Sequence, residues 1–407
     1  MFVKYLLPAF VAISSVAAQS ATCTVSTTTI KSQAEATKLA SCKTVKGTVV
    51  LGSESGATVD ISGPKEITGD LIVENNGMLQ SFQSSSLETI GGKFGLNNVT
   101  LLGSLQFPKL TSANAVEWVS LTRLDNLALG PLSKADDIRI SDTFLESLDA
   151  FALTSVGKFK IDNNGRLTKY SSQLTSLSGE LIIQANGLDL EVDMPKLAWI
   201  ANMAIANVTK FTVPALKVVN GSARFDSNLF ETFSAPNLTN TETGDISFVG
   251  NGFLKNMTFP RLTEIAGGLL IANNTGLDRV TFFPKLSKVS GAVKLRGNFS
   301  AVEFPALENV KGAFDVSSTG DIKASCEKLS EFAPKNQNGN GKIQGVFTCT
   351  ANNDKANEDT DGSTSDSGQV DGTDGSGKGD DKNSAAGVVL NAALFGLVAV
   401  AGLASAL

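Results

Sequence analysis

Histidine is missing altogether from this 407-residue chain. That excludes His-based triads, His general bases and His-containing metal sites. Catalysis by two carboxylates, as in glycosidases, survives the exclusion. Cysteine is scarce, at Cys23, Cys42, Cys326 and Cys349, and no CxxC spacing occurs, so the zinc alternative is weak. Tryptophan and tyrosine occur twice each against 23 phenylalanines, which argues against an exposed sugar-stacking platform. No basic patch is present, and the net charge is -6, so nothing points to nucleic acid. No catalytic, cofactor or metal constellation stands out.

Long apolar runs are confined to the two ends. Lys4 precedes the short run Tyr5 to Val16, and Val16-Ala17-Ala18 fits a small-residue cleavage site. Residues 1–18 therefore read as a secretory signal, with a mature start at Gln19. At the other end, Val388 to Leu407 is uncharged and no Lys or Arg follows it. Small residues precede it, and before them lies a polar stretch. That order is the pattern of a GPI attachment signal. A membrane helix would suit the length but lacks its basic flank. Asn383 is the expected lipid attachment residue, with Ser384 and Gly377 next, and 384–407 is the removed propeptide. Residues 351–383 are acidic and Ser/Thr/Gly-rich, too polar to bury a core, and read as a disordered linker open to O-linked sugars.

Between the ends the sequence repeats itself. An apolar-Pro-x-Leu marker recurs as FPKL at 107, MPKL at 194, VPAL at 213, APNL at 235, FPRL at 259, FPKL at 283 and FPAL at 304. From Pro195 the prolines step by 19, 22, 24, 24 and 21 residues. Each marker is followed by a small turn, often Gly, and then by an alternating strand. Period-two alternation places Leu71/Val73, Phe94/Leu96, Ile138/Ile140, Phe159/Ile161, Leu181/Ile183, Met203/Ile205, Ala223/Phe225, Ile246/Phe248, Leu269/Ile271, Val293/Leu295 and Phe314/Val316 inward, and Trp118 with them. One such strand cannot bury its apolar face, but stacked copies share one.

The expected fold is a mainly β, right-handed parallel β-solenoid of about twelve coils between 60 and 325, one elongated body spanning 19–350. Coils at 115–151 depart from the pattern. The cysteines form two sequence-local pairs, read as bridges Cys23–Cys42 and Cys326–Cys349, one of three connectivities that four cysteines allow. They would staple an N-cap (19–55) and a C-cap (321–350) over the open ends. A short helix is expected at Cys326–Phe332.

Asparagines recur just past the strands: Asn75, Asn98, Asn163, Asn207 and Asn273, with Asn186, Asn251 and Asn298 displaced by one. They read as an amide ladder satisfying backbone groups at the corner. Seven N-glycosylation sequons occur, at Asn98, Asn207, Asn220, Asn237, Asn256, Asn273 and Asn298. A buried ladder amide carries no glycan, so Asn220, Asn237 and Asn256 are favoured over the four at or beside the ladder. Asp189, Glu191 and Asp193 would share one strand face, and read as a solvated rim. The outward positions are Ile72, Gly95, Glu117, Arg139, Lys160, Ile182, Ala204, Arg224, Ser247, Leu270, Lys294 and Asp315. They form the expected interaction surface.

Signal, Pro-x-Leu coils, paired cysteines, Ser/Thr-rich linker and lipid signal, in that order, resemble the fungal GPI-anchored cell-wall organisation proteins of the sporulation-specific and extracellular-mutant type. Their repeats are similar to receptor L domains and leucine-rich repeats. The resemblance covers nearly the whole sequence. It implies a non-enzymatic surface glycoprotein needed for wall integrity, on the outer face of the plasma membrane or in the wall. The implied partners are wall polysaccharide or wall proteins and the membrane through the lipid, with no cofactor. A wall-remodelling carbohydrate enzyme and a receptor-like ligand-binding module are the alternatives.

Overall fold

A computed structural model describes residues 23–358. The signal peptide (1–18), the lipid attachment at Asn383, the propeptide (384–407) and linker residues 359–383 lie outside them. The protein is mainly β and forms a parallel β-solenoid of about thirteen turns. It divides into two compact units, one ending at Leu132 and one beginning at Ser133.

In the first unit the main-sheet strands are Thr44–Leu51, Leu71–Glu74, Thr89–Asn97 and Ser112–Leu121, all parallel. Leu71 faces Phe94, and Val73 faces Leu96, so the inward residues align from turn to turn. Phe94 meets Trp118 edge-on at 5.6 Å. A second sheet of Thr58–Asp60, Ser81–Gln83, Ser104–Phe107 and Asn126–Leu129 closes the other side. Thr44–Leu51 falls inside the expected N-cap but is a full rung, with Val45, Val49 and Leu51 buried. Ahead of it, Thr24–Ile30 pairs with it in parallel. The short helix Gln33–Lys38 starts on a reciprocal cap: Glu35 N–H donates to Ser32 Oγ, and Lys31 N–H donates to the Glu35 carboxylate. Cys23–Cys42 closes this end.

The second unit repeats the plan. Asp137–Thr143, Lys158–Asp162, Ser176–Gln184, Trp199–Ala206 and Ala223–Asp226 pair successively, followed by Ile246–Val249, Leu269–Ala272, Val293–Gly297 and Phe314–Ser318. Every inward residue named from the alternation is buried. The phenylalanines stack through the core: Phe225 on Phe248 at 4.5 Å, Phe259 on Phe283 at 5.2 Å, and Phe283 on Phe304 at 5.8 Å. Each adds packing beyond its buried area.

The Pro-x-Leu marker is a β-turn. In the marker at 259, Leu262 N–H donates to the Phe259 carbonyl, and Leu307 does the same to Phe304. Proline sits second, where its fixed φ suits the turn and no N–H is needed. The apolar first residue and the Leu are both buried, so one turn anchors the return path twice.

At the C-terminal end the helix Lys323–Ser330 covers the last turn, with Leu329 buried. Cys326 on this helix bonds Cys349, on the strand Phe347–Thr350, which pairs in parallel with Phe314–Ser318. Packing runs on past 350: Ala356 is buried, and Asn353 donates to Ser317 Oγ at 2.8 Å. Replacing Cys326 and Cys349 together by alanine is expected to cost the second unit about 3 kcal/mol, the entropy of freeing a loop of this size. Urea unfolding of parent and variant checks it.

Candidate functional site

The asparagine ladder exists, but three of its members, Asn76, Asn164 and Asn274, come one residue later than expected, and Val99 and Val208 take that place after Asn98 and Asn207. Asn75, Asn98, Asn163, Asn207 and Asn273 all have positive φ, between 51° and 59°. Asparagine tolerates this left-handed corner better than most residues. The corner leaves their side groups exposed or half-buried and turns the next residue inward. The buried amides are Asn76, Asn164, Asn186, Asn228, Asn251 and Asn274. At Asn186 and Asn251 the expected ladder position holds. Asn298 is exposed, and Ser318 serves its coil instead, accepting from Phe299 N–H. Asn251 shows the chemistry. Its Oδ1 accepts from Asn228 Nδ2, and its Nδ2 donates to the Phe225 carbonyl and to Asn274 Oδ1. The same Oδ1 accepts from the backbone N–H of Asn228.

This shift removes the conflict with glycosylation. None of the seven sequon asparagines is buried: Asn98, Asn256 and Asn298 are exposed, and Asn207, Asn220, Asn237 and Asn273 are half-buried. Their Nδ2 groups differ. Asn98 donates its amide to Asn75, Asn207 to the Ser227 carbonyl and Asn237 to the Pro214 carbonyl.

Of the carboxylates at 189–193, Glu191 and Asp193 lie exposed on one return strand, as expected, and Asp189 is exposed in the turn before it. Glu191 is 3.7 Å from Lys210, and Asp193 accepts from Thr212. They form a solvated rim. Among the described residues no group of His, Cys, Asp or Glu is arranged to hold a metal.

The outward face is uneven. Arg139 is exposed; Lys160, Ile182, Ala204, Arg224, Leu270 and Asp315 are half-buried; Ser247 and Lys294 are buried. Arg296 is also buried and binds the Asp315 carboxylate and backbone carbonyl. In the first unit Lys93 and Glu117 pair across adjacent strands at 3.0 Å.

Beside this face, within the second unit, runs a groove of about 800 Å³. Its floor is a column of glycines, among them Gly179, Gly221, Gly244, Gly267 and Gly291. Successive turns touch there: a Cβ on Gly244 would come within 2.3 Å of the Gly221 carbonyl carbon. The line is low because most of its positions lack a side chain, and a trough results, with Asn202 and Asp245 reaching over Gly221 and Gly267. Along its wall the turns are tied by polar side groups. Ser222 N–H donates to Asn202 Oδ1 at 2.9 Å, Asp245 N–H to Ser222 Oγ at 3.1 Å, and Gly268 N–H to Asp245 Oδ1 at 2.6 Å. Lys158, Glu180 and Arg224 also line it, together with Thr243 and the apolar Met203, Ala204 and Ala292. The groove was not anticipated. Its one signal was the glycine recurring ahead of the strands.

Burial raises the Asp245 carboxyl above its ordinary range, offset in part by the Gly268 N–H, Arg224 and Ser222. Burial raises Asp226 as well, with Arg224 opposing. A carboxyl raised by folding holds its proton more tightly in the native than in the unfolded state. The resulting penalty is absent below the ordinary carboxylate range and grows as pH climbs through the folded value. Asp245→Asn keeps an acceptor for Gly268 and removes the charge. It should be more stable than the parent at neutral pH, the difference closing toward about pH 4. Urea unfolding at both pH values reads this.

The profile of the Ecm33 family, described as GPI-anchored cell wall organization protein, matches residues 1–40. "Protein ecm33" of Aspergillus fumigatus is 36% identical over 352 residues, 86% of each sequence. This chain belongs to the Ecm33 family. A cell surface GPI-anchored protein of Arthroderma benhamiae is 30% identical over 80% of this sequence and 82% of its own. The cell surface GPI-anchored protein ECM33 of Candida albicans is 29% identical over 85% and 84%. No solved structure matches. Membership of the Ecm33 family places the protein among cell-wall and GPI-anchored surface proteins, at the outer face of the plasma membrane and in the wall.

Proposed function

We propose that this Ecm33-family protein is a non-enzymatic, GPI-anchored glycoprotein that organises the fungal wall by binding wall polysaccharide or wall proteins. Residues 1–18 direct secretion, Asn383 takes the lipid after removal of 384–407, and the acidic segment up to 383 spaces the folded part from the membrane. Asn220, Asn256, Asn273 and Asn298 are the sequons we assign to glycans first, since their Nδ2 groups donate to no acceptor among the described residues. The observation that carries the reading is the second unit's outward face with its adjoining groove, a mixed polar and apolar surface laid on a core whose aromatics are turned inward.

Charge reversal of Arg139, Lys160 and Arg224 together is the test. The variant should reach the surface normally and fail to restore wall resistance in cells lacking the protein. Full resistance would reject the face as the working surface. A wall-remodelling enzyme is the second reading, favoured by one observation: Asp245, with its raised carboxyl, shares the groove with Glu180. Release of soluble sugar from β-glucan, mannan or chitin by the purified ectodomain would establish it.

A further inference from the structure

Two sheet edges of this protein are closed by the same device. Thr58–Asp60 is the outermost strand of the second sheet in the first unit. There the Gln33 amide takes the place of a further strand: its Oε1 accepts from Asp60 N–H at 2.8 Å, and its Nε2 donates to the Asp60 carbonyl at 3.0 Å. On Phe347–Thr350 the Gln337 amide does the same, accepting from Phe347 N–H at 3.0 Å and donating to the Phe347 carbonyl at 3.4 Å. An open edge is a template for pairing with another chain, and such plugs deny it.

The first strand, Thr24–Ile30, has no such plug. Among the described residues it pairs with Thr44–Leu51 alone. Its sequence, TVSTTTI, contains no charge and no proline, the other common guards of an edge. All but Ser26 are β-branched, which favours an extended strand. Thr24, Ser26, Thr27 and Thr29 are exposed, and their hydroxyls make no hydrogen bond among the described residues. Thr27 lies beside Thr48 and Thr29 beside Val50, so both stand on the outward side of the sheet.

Three observations select a second copy of this chain as the occupant. The strand is uncharged, so two copies meet without like-charge contact. A two-fold axis at Thr28 sets Thr27 of each copy against Thr29 of the other, and cross-strand threonine pairs are favourable. All seven sequons lie at Asn98 or beyond, so no N-glycan stands on this strand or on the rungs beside it.

We propose that Thr24–Ile30 pairs antiparallel with the same strand of a second copy, joining two ectodomains through their first strands in a weak dimer.

Sedimentation velocity of the secreted ectodomain at rising concentration is the experiment. The parent is expected to move from monomer toward dimer. Thr27→Lys with Thr29→Lys, both at exposed positions, sets lysines of the two copies against each other and should raise the dissociation constant about tenfold or more. Thr348→Lys, on the strand already plugged by Gln337, should dimerise like the parent. Hydrogen–deuterium exchange of the parent needs no variant, and high against low concentration should protect residues 24–30. A parent that stays monomeric at every concentration, dimerisation unchanged by the double lysine substitution, or protection confined to other segments overturns the proposal. Hexose found on these hydroxyls in the mass of the N-terminal peptide also overturns it, since a sugar there would hold the two strands apart.

Discussion

Replacing Asn251 by alanine is expected to destabilise the second unit by about 4 kcal/mol. The amide links three turns: it accepts twice from Asn228 and donates to the Phe225 carbonyl and Asn274 Oδ1. Truncation removes four hydrogen bonds from a buried strip and takes this partner from the Asn228 N–H and the Phe225 carbonyl, while the Asn228 amide keeps the Ile205 carbonyl and Asn274 Oδ1 keeps the Asn251 N–H. Each buried orphan costs about 1–3 kcal/mol, and the losses are not fully additive because the strip relaxes. Urea unfolding of deglycosylated ectodomain measures it. The adjacent pair Asn273-Asn274 supplies an internal contrast. Asn274→Ala should be costly, since its Nδ2 donates to the Phe248 carbonyl and its Oδ1 accepts from Asn251. Asn273→Gly should be nearly neutral, since glycine adopts the same positive φ freely. Equal effects at the two positions would put the ladder back on the corner residue.

The larger effect belongs to Gly244→Val, expected to abolish secretion of folded protein. The three atoms nearest its ideal Cβ are all backbone: the Gly221 carbonyl carbon at 2.3 Å, the Gly221 carbonyl oxygen at 2.5 Å and the Ser222 nitrogen at 2.6 Å. The far end of a flexible residue would swing aside, but these atoms belong to the neighbouring turn and its sheet pairing. Relief requires the turns to separate, which breaks strand pairing and core contact together. Retention of the variant in the secretory pathway, against normal display of Gly165→Ala, is the readout. Gly165 has open space around its Cβ position. Normal secretion of Gly244→Val would mean the turns are not in close contact along this column.

The period-two alternation of the strands was enough to name the buried residues and their register, because side groups alternate strictly on a pleated strand. Phe159, Leu181 and Met203 line up across neighbouring strands at the positions the alternation assigned. The Pro-x-Leu turns and both disulfides were equally legible, being local in sequence. Three features were not. Thr44–Leu51 has no proline marker and carries threonines and lysine, so it resembled cap more than rung. The ladder residue depends on which side of the positive-φ corner faces inward, and two consecutive polar residues such as Asn163-Asn164 do not distinguish this by pattern. The groove arises from contacts between glycines a full turn apart in sequence, such as Gly221 and Gly244. Each looked, by itself, like a turn residue.

The most direct measurement for the whole account is hydrogen–deuterium exchange of the ectodomain with and without a saturating soluble wall oligosaccharide. Protection is predicted at the glycine turns and strand starts bordering the groove, around 179–180, 202–204, 221–224, 243–245 and 267–268. The return strands at 191–193 and 210–212 should exchange as before. Protection centred on those return strands, or none anywhere, would contradict the claim that this Ecm33-family protein meets the wall through the outward side of its main sheet.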